Sequence, residues 1–162
     1  MDKVISPVYL LRSYAWAVLK ANTDMKESDY NGLTPIVPLA EEPDIMEFDK
    51  PYLVYGYALD STGGLYARKT GSMSMAVYSQ NFRELTTILN VLTTAFERQD
   101  ESARDVNNYT GKTPGFIGIR FGTISIGFVE GGTPETDEGG RQSGIINIRF
   151  EYYVDYNVNT AL

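Results

Sequence analysis

The period of the hydrophobic pattern changes once within residues 72–100. Up to residue 80, apolar and polar side chains alternate, which is the period of a strand with one buried face. The face predicted to be buried carries Met73, Met75 and Val77. Beyond residue 80, apolar side chains recur at spacings of three and four, which predicts an amphipathic helix of roughly 16 residues. Its apolar stripe consists of Leu85, Ile88, Leu89, Leu92 and Phe96. The strand therefore feeds directly into a helix that must lie on a sheet to bury this stripe.

Capping residues indicate where two helices begin. Asn81 can accept hydrogen bonds from the first amides of the helix just described, and Glu84 can bond back to complete a capping box. Ser6 and Pro7 open an earlier helix in a similar way, and this helix extends to about Ala21. Its apolar face carries Val8, Leu11, Tyr14 or Ala15, Val18 and Leu19. Its aromatic side chains, which we interpret as core or rim packing in preference to a binding role, are Tyr9, Tyr14 and Trp16.

Four more stretches have the pattern of strands. They are residues 52–59, 65–70, 116–129 and 143–156. Gly63 and Gly64 favour a hairpin turn between the first two. In the third stretch the apolar phase shifts by one residue, which predicts a bulge or bend near Gly122. The order of elements predicts a single α+β domain, in which a mostly antiparallel sheet has two amphipathic helices packed on one face and long hairpin loops.

Several segments have no regular spacing of apolar residues and are predicted to lie outside the core. Residues 22–50 are rich in proline and acidic side chains, which predicts a solvated connector. Because large apolar residues are interspersed, the alternative is an arm that docks on a neighbouring subunit. Residues 101–114 are polar and turn-rich, so an exposed loop is expected. Residues 130–142 are expected to form an acidic, glycine-rich hairpin tip, and residues 157–162 a loose tail.

Composition and charge limit the classes of function. The 162 residues are enough for one hydrophobic core, and 43% hydrophobic with 22% charged residues is typical of a globular domain. A net charge of -7 without a basic run argues against a protein that grips nucleic-acid phosphates. Because there is no leader pattern and no apolar stretch of about 18 residues, we expect a soluble cytoplasmic product.

The residue types missing from the sequence narrow the possible chemistry. There is no His and no Cys, which excludes a zinc site, a Cys nucleophile, a Ser/His triad and disulfides. Carboxylates, Lys and Tyr remain available, but we expect neither an enzyme nor a cofactor. Glu135, Asp137 and Glu138 match no calcium loop, so no metal is expected there. A solvated tip and a contact that becomes ordered on assembly both remain open.

Several short blocks match a family pattern. They are an early helix, Pro51-Tyr52-Leu53-Val54-Tyr55-Gly56 as a first strand, Val77-Tyr78-Ser79 at a strand end, Phe96-Glu97-Arg98 at a helix end, and a closing hairpin with a Gly-rich acidic tip before residues 148–152. In this layout, over about residues 6–156, the chain resembles the tail terminator or tail completion proteins of tailed bacteriophages. The resemblance implies a small α+β subunit forming a ring, usually a hexamer. Such a ring caps the tail tube, ends its polymerisation and joins it to the neck.

The resemblance also implies partners and a location. The expected partners are further copies of the chain and the tail tube protein, with sheath and neck or connector proteins as additional candidates. The location would be the virion, assembled in the host cytoplasm, with no membrane contact. DNA would pass through the lumen without specific binding, and an acidic protein suits this because like charges repel. One alternative is a neck, head-completion or tail-sheath terminator protein. The alternative of another class is a small-ligand-binding module, or an enzyme using Tyr and carboxylates.

Charged side chains on the predicted loops and element ends are the candidate interface residues. They are Glu130, Glu135, Asp137, Glu138 and Arg141 around the tip, with Arg68, Lys69 and Arg98 elsewhere. The sheet face away from the helices is a second candidate partner surface, because large apolar groups there would otherwise be exposed. Its large side chains would be Tyr78, Ile145 and either Tyr55 or Tyr57.

Overall fold

The computed structural model describes residues 6–60, 68–111, 118–131 and 140–154. The helices are α1 (Pro7–Asn22), α2 (Glu42–Met46), α3 (Phe82–Phe96) and α4 (Asp100–Gly111), with short 3₁₀ helices at Glu27–Tyr30 and Leu39–Glu41. The strands are β1 (Ile36–Pro38), β2 (Tyr52–Leu59), β3 (Lys69–Ser79), β4 (Ile119–Glu130) and β5 (Gln142–Val154). These elements confirm the α+β class.

The five strands form one sheet in the order β1-β2-β3-β5-β4. β1 runs parallel to β2, and the other neighbouring pairs are antiparallel. The bounds of β2 are those predicted. The separate strand predicted over residues 65–70 is wrong for Lys69 and Thr70, which begin β3 and pair with Tyr152 and Glu151 of β5. Residues 61–67, which include the predicted turn, lie outside the described residues.

The core lies between α3 and one face of the sheet. The predicted faces of β3 and α3 are confirmed, since every side chain of the two predicted apolar sets is buried. Close approach of helix and sheet depends on Gly144 of β5, where a Cβ atom would lie 2.6 Å from a methyl group of Leu89. Gly71 similarly leaves room for the ring of Phe150, which a Cβ atom would approach to 2.6 Å. Both glycines are therefore needed for their small size.

The predicted caps are present, with one change. Asn81 Oδ1 accepts hydrogen bonds from the amides of Arg83 and Glu84, at 2.9 and 3.3 Å. The Glu84 carboxylate, however, accepts from Ser79 Oγ at 2.9 Å, and the Asn81 amide donates to the same hydroxyl at 3.1 Å. The capping box is thus closed through a serine that precedes the helix. At α1, Ser6 Oγ accepts from the amide of Val8 at 3.3 Å.

Helices contact both faces of the sheet. α3 packs on the buried face of β3 and β5, and α1 packs on α3 and α4. α2 reaches the opposite face, where Glu42 Oε2 accepts a hydrogen bond from the hydroxyl of Tyr52 at 3.1 Å. The predicted packing of two helices on one face is therefore not confirmed. In α1, Trp16 is buried and the ring of Tyr14 packs edge-on against Phe96, whereas Tyr9 is half exposed.

Residues 22–50 pack on their own domain. They contribute the edge strand β1, and Tyr30, Ile36 and Ile45 are at most 1% exposed. The hydroxyl of Tyr30 donates to the carbonyl of Pro51, and its ring lies 6.0 Å from that of Phe48. The predicted solvated connector is therefore wrong. The interspersed apolar residues pack in this chain's own core, and the prolines are compatible because β1 is short and lies at the sheet edge.

Residues 100–111 form helix α4, so the exposed loop predicted over residues 101–114 is wrong for its first eleven positions. Ala103, Val106 and Thr110 are buried and recur at helical spacing. The apolar signal is weak because two of the four buried residues on this helix, Ser102 and Thr110, are polar. Residues 112–117 lie outside the described residues.

Strand β4 contains two register shifts. The first lies between Phe121 and Thr123, which confirms the predicted irregularity at Gly122. The second lies between Ile126 and Phe128, at Gly127, and was not predicted. In the last strand, Ile146, Ile148, Phe150 and Tyr152 are buried and directed to the core.

Candidate assembly surface

Helix α4 closes the first half of the outer edge of β4. Asn107 Nδ2 donates to the carbonyl of Phe121, and the Phe121 amide donates to Asn107 Oδ1, both at 2.9 Å. Further along, the amide of Ile124 donates to the carbonyl of Gln99 at 3.3 Å. These bonds satisfy backbone groups that point away from β5 and that an edge strand would otherwise leave unpaired.

The second half of this edge, residues 126–130, has no such cap among the described residues. Because the bulge at Gly127 shifts the alternation, Ile126 and Val129 turn their peptide groups outward. Phe128 is 49% exposed and Val129 is 42% exposed. Glu130 adds an exposed negative charge at the end of the strand. This half of β4 is therefore an open edge bordered by apolar side chains.

A second open edge lies on β2, because the three residues of β1 pair only with its first half. Leu53 donates its amide towards β1, to the carbonyl of Pro35 at 2.8 Å, whereas Asp60 donates to a carbonyl of β3 at 2.9 Å. Successive residues of a strand turn their peptide groups to alternate sides. Tyr57 and Leu59 consequently turn theirs outward, beyond the end of β1. Within the described ranges no backbone group pairs with them.

Aromatic side chains and a positive charge border the open part of β2. Tyr57 is 60% exposed, and Tyr9 of α1 lies with its ring 5.3 Å from the guanidinium of Arg12. Burial raises the pKa of the Tyr55 phenol, and the nearby charge of Arg12 opposes that rise. Arg12 Nε also donates to the carbonyl of Ile36 at 2.6 Å. The guanidinium is therefore held beside this edge.

The sheet face away from α3 contains a groove of about 570 Å³. Small side chains of β2 and β3 line it, together with Arg149 and Glu151 of β5. Arg68, a predicted interface residue, lies 3.2 Å from the Glu151 carboxylate, and this exposed pair contributes little to stability. Lys69 follows at the start of β3, in register with Tyr152.

The side chains predicted to form an apolar partner surface on this face do not form one. The ring of Tyr78 stacks on that of Tyr52, with the ring centres 5.1 Å apart. Ile145 is half-buried. Tyr55 and Tyr57 lie on the opposite, α3-facing side, because they are in register with the buried methionines of β3. Tyr57 is 60% exposed on that side.

Arg141 is part of the folded core, although it was predicted at the interface, and it is only 6% exposed. Its guanidinium lies 5.5 Å from the ring centre of Tyr52, donates to the carbonyl of Met46 at 3.1 Å and lies 3.4 Å from the Asp49 carboxylate. These partners compensate for the loss of water around the charge. Arg141 thus ties the start of β5 to α2 and is not available to a partner.

The remaining predicted interface residues are spread over the molecule. Arg98, at the end of α3, lies 2.6 Å from Asp105 and 3.3 Å from Glu101 of α4. The hydrogen bond to Asp105 is the main reason that the pKa of Arg98 is raised. Glu130 ends β4 and is exposed. Outside the described residues lie Glu135, Asp137 and Glu138.

The structure brings forward two residues that the sequence pattern does not single out, namely Phe128 and Val129. Tyr57 is predicted as a partner residue only as an alternative to Tyr55, and on the opposite face of the sheet. The charged loop residues were favoured instead, since loops commonly carry function. One signal was available, because two adjacent apolar residues at the end of β4 break the alternation of a strand with one buried face.

In the part of the chain that the structure describes, no three acidic side chains lie close enough together to hold a metal ion. The described helices are all too short or too polar to cross a membrane. Comparison of the chain with protein-family models, with curated proteins and with solved structures finds no match.

Proposed function

We propose that this protein is a structural virion subunit that forms a ring at the end of a bacteriophage tail tube. The ring ends the polymerisation of the tube and joins it to the neck. The subunit acts without catalysis or a cofactor, and its partners are further copies of itself, the tail tube protein and the neck proteins. The sequence blocks described above supply the phage context, and the two open sheet edges support the assembly.

The open edges are the observation that carries the proposal. They lie at the two opposite edges of one five-stranded sheet, and each edge is bordered by exposed apolar side chains. Unpaired edges and apolar borders favour association with another chain. Because the two edges differ, association through them is head-to-tail, and head-to-tail contacts give a ring when the rotation closes. The net charge of -7 suits a lumen through which DNA passes.

Electron microscopy of tails assembled without this protein tests the function. We expect tubes of uncontrolled length, and supply of the wild-type protein in trans should restore the normal length. Tubes of normal length that fail to join heads would instead indicate a head-completion protein. A sheath of abnormal length on a normal tube would indicate a sheath terminator. Either of these results would refute tube termination.

A further inference from the structure

We infer that neighbouring subunits join by strand pairing, with residues 56–59 of β2 in one copy antiparallel to residues 126–130 of β4 in the next. The occupant of each open edge is therefore a second copy of this chain. The inference rests on the proposed function only in that a ring requires self-association. It adds the residues and the register of the contact.

The direction of the strands permits this pairing. β3 is antiparallel to both β2 and β5, and β5 is antiparallel to β4, so β4 runs opposite to β2 within one sheet. When the next copy has a similar orientation, its β2 is antiparallel to β4 of the first. The sheet then continues from subunit to subunit without a reversal, which is the arrangement that a head-to-tail ring requires.

The outward peptide groups set the register. On β2 they belong to Tyr57 and Leu59, and on β4 to Ile126 and Val129. Placing Tyr57 opposite Val129 brings Leu59 opposite Ile126, because the bulge at Gly127 takes up the additional residue. Pairs of this kind exchange two hydrogen bonds each. This register uses all four residues and requires no change at the edge that α4 closes.

The positions of the side chains agree with this register. Tyr57 is in register with the buried Met73 of β3, and Val129 with the buried Ile146 of β5. Both side chains therefore lie on the α3-facing side of the sheet. They are 60% and 42% exposed, so the contact removes apolar surface from water. Glu130 then lies opposite Gly56, towards the part of the edge that Arg12 borders. Arg12 offers Glu130 an opposite charge, but Glu41 also lies near Tyr55 at this edge, so the register of the outward peptide groups carries the choice of partner edge.

Cysteine cross-linking tests the contact, and the absence of native cysteine makes the background low. In the double variant Tyr57→Cys/Val129→Cys, the two thiols of one chain are about three strand spacings apart, roughly 14 Å, which is too far for a disulfide. Between copies, a hydrogen-bonded pair has Cα atoms about 5.5 Å apart, within the range of a disulfide. Under mild oxidation with the tube protein present, we expect a ladder of reducible oligomers.

The double variant Tyr57→Cys/Phe82→Cys is the matched control, because Phe82 is 59% exposed but lies at the start of α3. We expect about a tenfold lower yield of oligomers from this control, since its thiols are not held within disulfide range. Circular dichroism of the reduced variants checks that both are folded. Each single variant should give no more than trace dimer.

Mass photometry separates the failure of this contact from the failure of the proposed function. Closed rings that form without cross-linking at Tyr57 and Val129 would overturn the strand pairing and leave tube termination intact. A protein that stays monomeric even with tube ends would overturn both. Protection of the Tyr57 and Leu59 amides from hydrogen exchange by tube protein alone, without self-association, would assign the β2 edge to the tube and also overturn the inference.

Discussion

Replacing Asn107 with alanine removes both hydrogen bonds by which α4 closes the edge of β4. The side chain accepts from the amide of Phe121 and donates to its carbonyl, at 2.9 Å each. Phe121 is 3% exposed, so water cannot readily replace the lost partner. The substitution therefore leaves an unsatisfied donor and an unsatisfied acceptor on a buried strand residue.

The magnitude follows from these two bonds. A net hydrogen bond contributes about 1 kcal/mol, and a buried group left unpaired costs about 1–3 kcal/mol. Partial access of water to the edge reduces the sum, so we expect a loss of about 2–3 kcal/mol in the free energy of unfolding. For a domain of this size the corresponding decrease in melting temperature is roughly 4–12 °C. The higher helix propensity of alanine slightly offsets the loss.

Asn108→Ala is the matched control, since Asn108 is the exposed neighbour on the same helix and gains the same propensity. Urea unfolding followed by circular dichroism measures both variants. Hydrogen exchange should also show faster exchange of the Phe121 amide in Asn107→Ala only. If the two variants differ by less than about 0.5 kcal/mol, the edge-closing role of α4 is refuted, because that is the scale of ordinary surface substitutions.

Two further predictions concern charged groups. Arg141→Met should lower the free energy of unfolding by about 2–3 kcal/mol in urea titrations, because methionine loses both the cation–π contact with Tyr52 and the charged donor. Arg141→Lys, which keeps a charge, should lower it by less. A loss below about 0.5 kcal/mol in Arg141→Met would contradict this role. Hydrogen bonds from Lys20, from its own backbone and from Trp16 lower the pKa of Glu27 from its ordinary 4.5 to about 2. Because this pKa is lowered, the stabilisation is complete above pH 4.5 and is lost as the pH falls towards 2. Fluorescence of the single tryptophan should follow this titration, and Lys20→Met should move the pH midpoint of the fluorescence change upwards. A midpoint near pH 4.5 in the wild-type protein would count against these hydrogen bonds.

The elements predicted well are those whose own side chains carry the signal. β3 and α3 each have a complete apolar set at one period, so no other part of the chain is needed to recognise them. The polar helix α4 lacks such a set, and Asn107 acts on a strand that follows it in sequence. The stability of α4 as a helix depends on tertiary contacts, which the hydrophobic period of its own sequence does not reveal.

The candidate site was less predictable for a related reason. Whether the peptide groups of Tyr57 are paired depends on the length of β1, a strand of three residues with no period of its own. Arg141 stands in a stretch of acidic and glycine residues, and its partner Tyr52 is far away in sequence. Composition therefore favours the solvated tip for this arginine, whereas the ring of Tyr52, the carbonyl of Met46 and the carboxylate of Asp49 hold it in the core.

The two open edges are short, and this limits how strongly any two subunits can associate. Two residue pairs would supply four backbone hydrogen bonds, about 4 kcal/mol in all, with additional stabilisation from the apolar side chains. Association of two chains costs an estimated 4–15 kcal/mol in lost freedom of motion, so an isolated pair is at most marginally stable. In a closed ring, each subunit makes two such contacts, and the last contact forms within one assembly at high effective concentration. Because each contact is weak and joins two different edges, monomers and complete rings are favoured over short open chains. A tube end that binds several subunits would shift this equilibrium towards the ring.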